Sequence, residues 1–288
     1  MNQYLSKQEV EDYWDILIKK NIDLFIYSLS TNNLSKNWAF IFRNKIVKLL
    51  TPKEVKIGNI EFNKKYCERE SLKSKSKSKF NYLSIHSVMI RDLIINLNPN
   101  SYCLIIDMDA FPLSRYAIKL TFVLAMLKGI NGNVQRTNCI ENGGHLFIGP
   151  SYICFNTKIM QKLKESAWIA NERSDVSEEI TWVKPELIDH NLFKPIKTIF
   201  KPIWALEGEK KVYGIGTTFG YNDLPINFHH FYSRNYLARF HFFLISLFKY
   251  LKIKLISKGT KQINFKLIIK FVLSETKFSI KYILGKIS

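Results

Sequence analysis

The stretch SYCLIIDMDAFPLS, residues 101–114, constrains the fold more than any other part of the chain. Its apolar first half reads as a central strand. The strand stops at two carboxylates, Asp107 and Asp109, and a turn carrying Pro112 follows. Acids placed directly after a buried run need something to neutralise them, because burying an unpaired charge is costly. At positions i and i+2 both acids can point the same way only where the strand ends and the chain turns. A divalent cation is the economical partner, since oxygen ligands suit Mg²⁺ or Mn²⁺. In open α/β sheets, ligands bind beyond the carboxyl ends of the strands, which is where this pair lies. The plainer alternative is a solvent-exposed pair of turn acids.

The segments around this strand alternate in character. Residues 3–20 have a helical pattern with acids early and lysines late, as the helix dipole prefers. IDLFIYSLS (22–30) reads as a buried strand feeding a loop, and residues 38–50 return to helical spacing. Residues 81–97 form a helix that Asn98-Pro99-Asn100 ends. After the D-x-D stretch come a helix at 115–129, a short strand NVQRT at 133–137, and a strand leading into a helix at 145–163. Strands alternating with helices predict an α/β sheet. SLKSKSKSK (71–79) reads as a mobile loop. Residues 171–195 are acidic and polar, and 211–235 read as a Gly- and aromatic-rich loop region containing adjacent histidines, His229 and His230.

Composition limits the classes of function. At 288 residues, 47% hydrophobic and 23% charged, the chain can bury a large core without disulfides or structural metals. Its length fits two domains, or one α/β domain with a tail. The four cysteines form no C-x-x-C pair, and Cys103 and Cys154 lie in apolar runs as buried thiols. No basic segment followed by an apolar one marks the N-terminus as a secretory signal, so a cytoplasmic protein is expected. The net charge is +19, and residues 234–288 carry +11 of it. Such a charge predicts a polyanionic neighbour. In YLARFHFFLISLFKYLKIKLI (236–256), Arg239, His241, Lys249, Lys252 and Lys254 interrupt the apolar residues. Each charge at a helix centre costs ~2.5–3.5 kcal/mol on the insertion scale, so a spanning helix is not expected. An in-plane amphipathic helix on an anionic membrane fits the pattern, and a tail packed on the catalytic domain is the alternative.

An apolar strand, D-x-D and a following turn resemble the nucleotide-diphospho-sugar glycosyltransferases of GT-A fold. The likeness runs through residues 22–235. HLFIGPSYICFN is similar to the family strand whose small residues, here Gly149, Pro150 and Ser151, lie beneath the donor sugar. GIGTTFGYND and the FHHFYSR that follows resemble the terminal loop that supplies a histidine to the metal, as in glycogenin-like and fungal α-mannosyltransferase-like enzymes. The resemblance implies a mixed, mostly parallel, Rossmann-like sheet flanked by helices. It divides the chain into a catalytic domain at 1–235 and a basic amphipathic helical tail at 236–288.

It also implies roles for particular residues. Asp107 and Asp109 hold Mn²⁺ or Mg²⁺ with His229 or His230; neighbours on an extended chain face apart, so only one of the two histidines is expected to be a ligand. Arg91, on the helix before the strand, faces the donor. Asp107, Gln135, Arg136, Ser151, Gly216 and Thr217 contact the nucleotide-sugar, the last two through backbone N–H groups that approach a phosphate. Asp175 or Glu178 is the candidate to deprotonate the acceptor hydroxyl; the alternative is a capped helix start at Ser174-Asp175. The implied reaction moves a sugar from a nucleotide-diphospho-sugar to a hydroxyl of a glycan or lipid-linked acceptor, in surface polysaccharide synthesis at the inner face of the membrane. Two rival readings are a basic nucleic-acid-binding protein and a non-catalytic membrane-peripheral scaffold. The first lacks a nucleic-acid motif, so no nucleic-acid partner is expected, and the second has no use for two strand-end acids and a histidine pair.

Overall fold

A computed structural model describes residues 5–31, 38–62, 81–137, 145–168, 174–188, 191–199, 202–205, 212–214, 216–230 and 236–258. The basic run at 71–79, and Cys67 and Cys139, lie outside the described residues. The elements are α1 (Lys7–Lys19), β1 (Asp23–Thr31), α2 (Trp38–Leu50), β2 (Lys56–Phe62), α3 (Asn81–Asn96), β3 (Ser101–Ile106), β4 (Ala110–Pro112) and α4 (Arg115–Lys128). They continue with β5 (Ile130–Arg136), β6 (Leu146–Asn156), the short helices α5 (Thr157–Met160) and α6 (Ile180–Val183), β7 (Leu192–Thr198), β8 (Pro202–Ala205), β9 (Val212–Gly214), β10 (Thr217–Tyr221), β11 (Leu224–His229) and α7 (Tyr236–Lys258). Helix starts follow local chemistry. Ser6 caps α1 in a reciprocal box with Glu9, and Ser114 caps α4 by accepting from the Ala117 N–H.

Nine strands form one sheet in the order β2-β1-β3-β6-β5-β7-β10-β11-β4, and β8 pairs with β9 separately. β3 is buried at all six positions and carries two cores. Tyr102, Leu104 and Ile106 face the cluster with α1, α2, α4 and α7, whereas Cys103 and Ile105 face the cluster with α3 and the short helical turns after β6. Cys103 and Cys154 are fully buried thiols, as their apolar runs imply, and desolvation pushes both thiol pKa values up.

The α/β class is as expected, but the sheet is not mostly parallel. β1–β2, β1–β3 and β5–β7 are parallel, and the other five neighbouring pairs of the large sheet are antiparallel. Beyond β5 strand follows strand without a full crossover helix, which favours antiparallel pairing. The region 211–235, expected to be loop, contains the β10–β11 hairpin. Its two-residue turn places Asn222 and Asp223 at φ 48° and 64°, the left-handed pair that short hairpin turns need.

Chain length forces the sheet to curl. β3 and β4 are joined by Asp107, Met108 and Asp109 alone, a reach of at most about 14 Å. In the strand order they stand third and ninth; laid flat, six strand spacings of ~4.8 Å would separate them by about 29 Å. The edge strand β4 must therefore swing back over the carboxyl end of β3, and β11 comes with it. Asn133 of β5 and Asn227 of β11 exchange two amide hydrogen bonds, at 3.0 and 2.7 Å, and both are buried. Asn133 also donates to Ser151 Oγ.

α7 packs on α2. Phe242, Phe243 and Leu247 are buried in the larger core cluster, with Phe42–Phe243 and Phe111–Phe242 ring contacts. Phe248 and Lys252 are exposed. Among the described residues no helix is long and apolar enough to cross a membrane.

The tightest backbone approach is at Gly132, where an added Cβ would lie 2.5 Å from the Tyr152 carbonyl oxygen and 2.6 Å from Ile148 Cγ2. Gly132→Ala should therefore destabilise the fold by about 1–3 kcal/mol, the usual cost of overpacking a core. Urea unfolding checks this, and an unchanged midpoint would contradict the packing described.

Candidate metal centre

Three elements converge beyond the end of β3. The turn itself is closed by the Ala110 N–H donating to the Asp107 carbonyl at 3.1 Å and the Met108 N–H donating to Asp107 Oδ1 at 2.8 Å. The Asp107 N–H donates to the Ser151 carbonyl at 2.9 Å, tying the turn to β6. The second element is the end of β11, where His229 pairs with Ala110 of β4 on one side and Thr217 of β10 on the other. His229 Nε2 lies 3.1 Å from Asp109 Oδ1, and the His230 N–H donates to the Asp109 carbonyl at 2.8 Å. One ligand-capable atom from each of Asp107, Asp109 and His229 falls within 4.8 Å of the others.

The third element is α2, through Arg43. This guanidinium is buried, and all its donor nitrogens are engaged. Nε donates to the Ala110 carbonyl, Nη2 to the Ile106 and Asp107 carbonyls, and Nη1 to Ser28 Oγ and Asn44 Oδ1. Desolvation lowers its pKa to about 10, opposed by the attraction of Asp107 and Asp109, so it stays cationic at neutral pH. It contacts the backbone of the turn through these carbonyls. Asp109 is buried and Asp107 half-buried, so the group is accessible from the Asp107 side. Two hard oxygen donors and one imidazole fit Mn²⁺ or Mg²⁺.

The adjacent histidines part company, as alternation along a strand requires. His229 turns to Asp109. His230 turns away, and its Nε2 meets His241 Nδ1 of α7 at 2.8 Å. Burial is the main cause that lowers the His230 pKa to about 4 and also lowers that of His241. Both rings are therefore neutral near pH 7, and the contact is one N–H donor facing one acceptor. His230 is not a member of the ligand group.

The other candidate residues lie at graded distances from this group. Ser151 is adjacent through its carbonyl bond to Asp107. Thr217 stands opposite His229, preceded by Gly216 at φ 76° in the turn entering β10; the Thr217 hydroxyl is 3.4 Å from that of Thr198. Gln135, two residues beyond Asn133 on β5, donates to Asp175 Oδ2 at 3.0 Å. Arg136 ends that strand, half-buried. Glu178 is buried: its Oε2 accepts the Asp175 N–H at 2.7 Å, and its Oε1 lies 3.4 Å from His145 Nε2. It therefore holds the 175–178 turn, while Asp175 is the more open acid. No long helix starts at Ser174-Asp175, since α6 has four residues and begins at Ile180. Arg91 pairs with its neighbour Asp92 through Nε and Nη2. It lies five residues before the end of α3, about 7.5 Å along the helix axis, and therefore nearer the start of β3 than its carboxyl end, which does not favour the expected donor contact.

Arg43, Asn133, Asn227, His145 and His241 were not legible as site residues in the sequence. Arg43 left a trace: it occupies the apolar stripe of α2 between Ala39 and Ile46-Val47, where a core residue belongs. A surface cavity of about 530 Å³ is bounded by Leu5, Tyr116, Leu120 and Tyr221. It contains no acid or histidine and lies near Leu224, at the opposite end of β11 from His229. It is therefore separate from this chemistry.

No family model and no curated protein matches the chain. Among solved structures, the crystal structure of A197 from STIV aligns with a TM-score of 0.31 and 9% sequence identity, covering 57% of this chain and 78% of that one. A likeness at that level carries no argument about fold or chemistry.

Removing the Arg43 guanidinium takes a donor from the carbonyls of Ile106, Asp107 and Ala110, of which that of Asp107 keeps the Ala110 N–H; each acceptor left bare costs about 1–3 kcal/mol. Arg43→Met should destabilise the protein by roughly 3–5 kcal/mol, and Arg43→Lys by less. Chemical denaturation decides it; an Arg43→Met protein with a wild-type midpoint would show that the turn does not depend on this contact.

Proposed function

We propose that the protein is a metal-dependent glycosyltransferase of GT-A type, moving a sugar from a nucleotide-diphospho-sugar to a hydroxyl of a glycan or lipid-linked acceptor. The observation that carries this reading is the convergence of Asp107, Asp109 and His229 at the carboxyl end of a buried strand, at a turn whose backbone Arg43 braces through the carbonyls of Ile106, Asp107 and Ala110. Asp107, Asp109 and His229 would hold Mn²⁺ or Mg²⁺, which supplies charge neutralisation to a departing diphosphate. The remaining work falls to the chain. Arg43 fixes the carbonyls of the turn that carries the two carboxylates. Ser151, beside Asp107, lines the surface under a donor sugar. Gln135 orients Asp175 through its hydrogen bond, and Asp175 accepts the proton of the attacking hydroxyl. Glu178 keeps the Asp175 turn in place rather than acting itself.

The tail adds a location. Phe248 and Lys252 on the exposed side of α7, with the lysines of residues 259–288, suit an anionic membrane at its cytoplasmic face. A lipid-linked acceptor would be held near the active site there.

Two measurements test these points. In a screen of UDP- and GDP-sugars with Mn²⁺, a donor at 100 times its Kd should add about 2.7 kcal/mol of stability, a rise of roughly 5–10 °C in Tm. Asp109→Asn should abolish that rise and the sugar transfer while keeping the fold, and full turnover in excess EDTA would sink the metal assignment. For the membrane, the intact protein should co-sediment with vesicles containing anionic lipid and be partly released by salt, as exposed charges are screened. A chain ending at Lys258 should bind more weakly. No sedimentation of the folded, full chain would reject docking.

A further inference from the structure

We infer that His241, on the C-terminal helix, is a positioning residue for the metal centre, so that the basic tail completes the site instead of merely following it. This rests on the metal reading of Asp107, Asp109 and His229.

The connection is short and continuous. His241 Nδ1 lies 2.8 Å from His230 Nε2. The His230 main-chain N–H donates to the Asp109 carbonyl at 2.8 Å, and His229, one residue earlier, presents Nε2 to Asp109 Oδ1 at 3.1 Å. His230 is fully buried, and its ring sits against Phe242 and Phe228 at centroid distances of 5.5 and 6.3 Å. Its alternation with His229 is what makes the link useful. Because the two side chains leave the strand on opposite faces, pinning the His230 ring to α7 fixes the peptide between them. That in turn fixes the direction in which the His229 ring leaves the backbone. β11 ends at His229, so beyond that point the ladder no longer holds the chain, and the bond to His241 takes over.

His241 is itself well placed to hold a position. Phe242 and Phe243, the next two residues, are buried among Phe40, Phe42 and Phe111, which anchors this turn of α7. Phe42 lies on α2, the helix that also carries Arg43. The two braces on the acidic turn, Arg43 from beneath and His230 from the side, therefore share one packing unit, α2 against α7. Partners that orient a metal ligand from outside commonly govern affinity by about 10–100-fold.

The test uses the full chain with Mn²⁺ alone, its affinity read by titration calorimetry or by the free-ion EPR signal, and with far-UV circular dichroism and Tm recorded for each protein. Asparagine places its amide where the imidazole has Nδ1; glutamine places it one methylene further out. His241→Asn should keep Mn²⁺ affinity within about threefold, whereas His241→Gln and His241→Leu should lose roughly tenfold or more. A His241→Leu protein that binds Mn²⁺ as tightly as wild type would overturn the inference. So would equal losses in His241→Asn and His241→Gln, since packing alone would then account for the residue. If His241→Leu does not fold, the Asn and Gln pair still decides the matter. A wild-type protein that does not bind Mn²⁺ at millimolar concentration overturns the metal reading itself, an outcome distinct from tight wild-type binding that the variants leave unchanged.

Discussion

A single buried guanidinium holds the acidic turn in place. Arg43 donates to the carbonyls of Ile106, Asp107 and Ala110, the residues at which β3 ends and β4 begins. Between them the chain leaves one position in the sheet for another six places away. An uncharged donor could satisfy one of them. Arginine satisfies all three with a rigid fork and retains its charge, unlike lysine, whose single ammonium sits on a flexible stem. Its desolvation is offset by five hydrogen bonds and by two nearby carboxylates. The arrangement is asymmetric: the guanidinium bonds the backbone of the turn, and its charge attracts Asp107 and Asp109.

The curl of the sheet and the polarity of its interior have the same origin. When β4 and β11 fold back over β3, polar side chains from β5, β6 and β11 meet inside. Asn133, Asn227 and Ser151 satisfy one another there. Reciprocal amide bonds are directional, so they set the register of β11 against β5 in a way that apolar packing would not. Register decides which residue of the histidine pair faces the acids. A slip of one residue would bring the His230 ring inward and point His229 at α7.

This explains what the sequence could and could not convey. β3 and its two acids are legible because the signal is local: six apolar residues, then charge. Helices α1 to α4 are legible from their spacing and from Asn98-Pro99. The choice between His229 and His230 is not, because alternation says that they differ but only the pairing of His229 with Ala110 and Thr217 says how. The hairpin at 217–229 was hidden by its glycines and aromatics, and the Asn222-Asp223 turn was the signal to read. Alternation in the first 130 residues conveyed the α/β class; the mostly parallel sheet was what the resemblance implied, and the later strands pair antiparallel instead. Arg43, His145 and His241 act across separations of 33 to 67 residues and 11 along the chain, and nothing in their immediate neighbours marks them.

The C-terminal segment joins two demands that composition alone cannot separate. Its apolar residues suggest membrane contact, yet Phe242, Phe243 and Leu247 are already committed to the protein core. In α7 that leaves Phe248 exposed, flanked by Lys249 and Lys252. Among the residues of α7 whose burial is described, one exposed phenylalanine buries too little area to hold a 33.8 kDa protein on a bilayer by the hydrophobic effect alone. Any attachment through α7 therefore leans on charge, and its strength should follow the anionic lipid fraction more than the depth of insertion. The same helix reaches the acidic turn through the His241–His230 contact and the His230 N–H bond to the Asp109 carbonyl. The exposed side of α7 and the acidic turn are thus connected through one helix, with α2 as the common support.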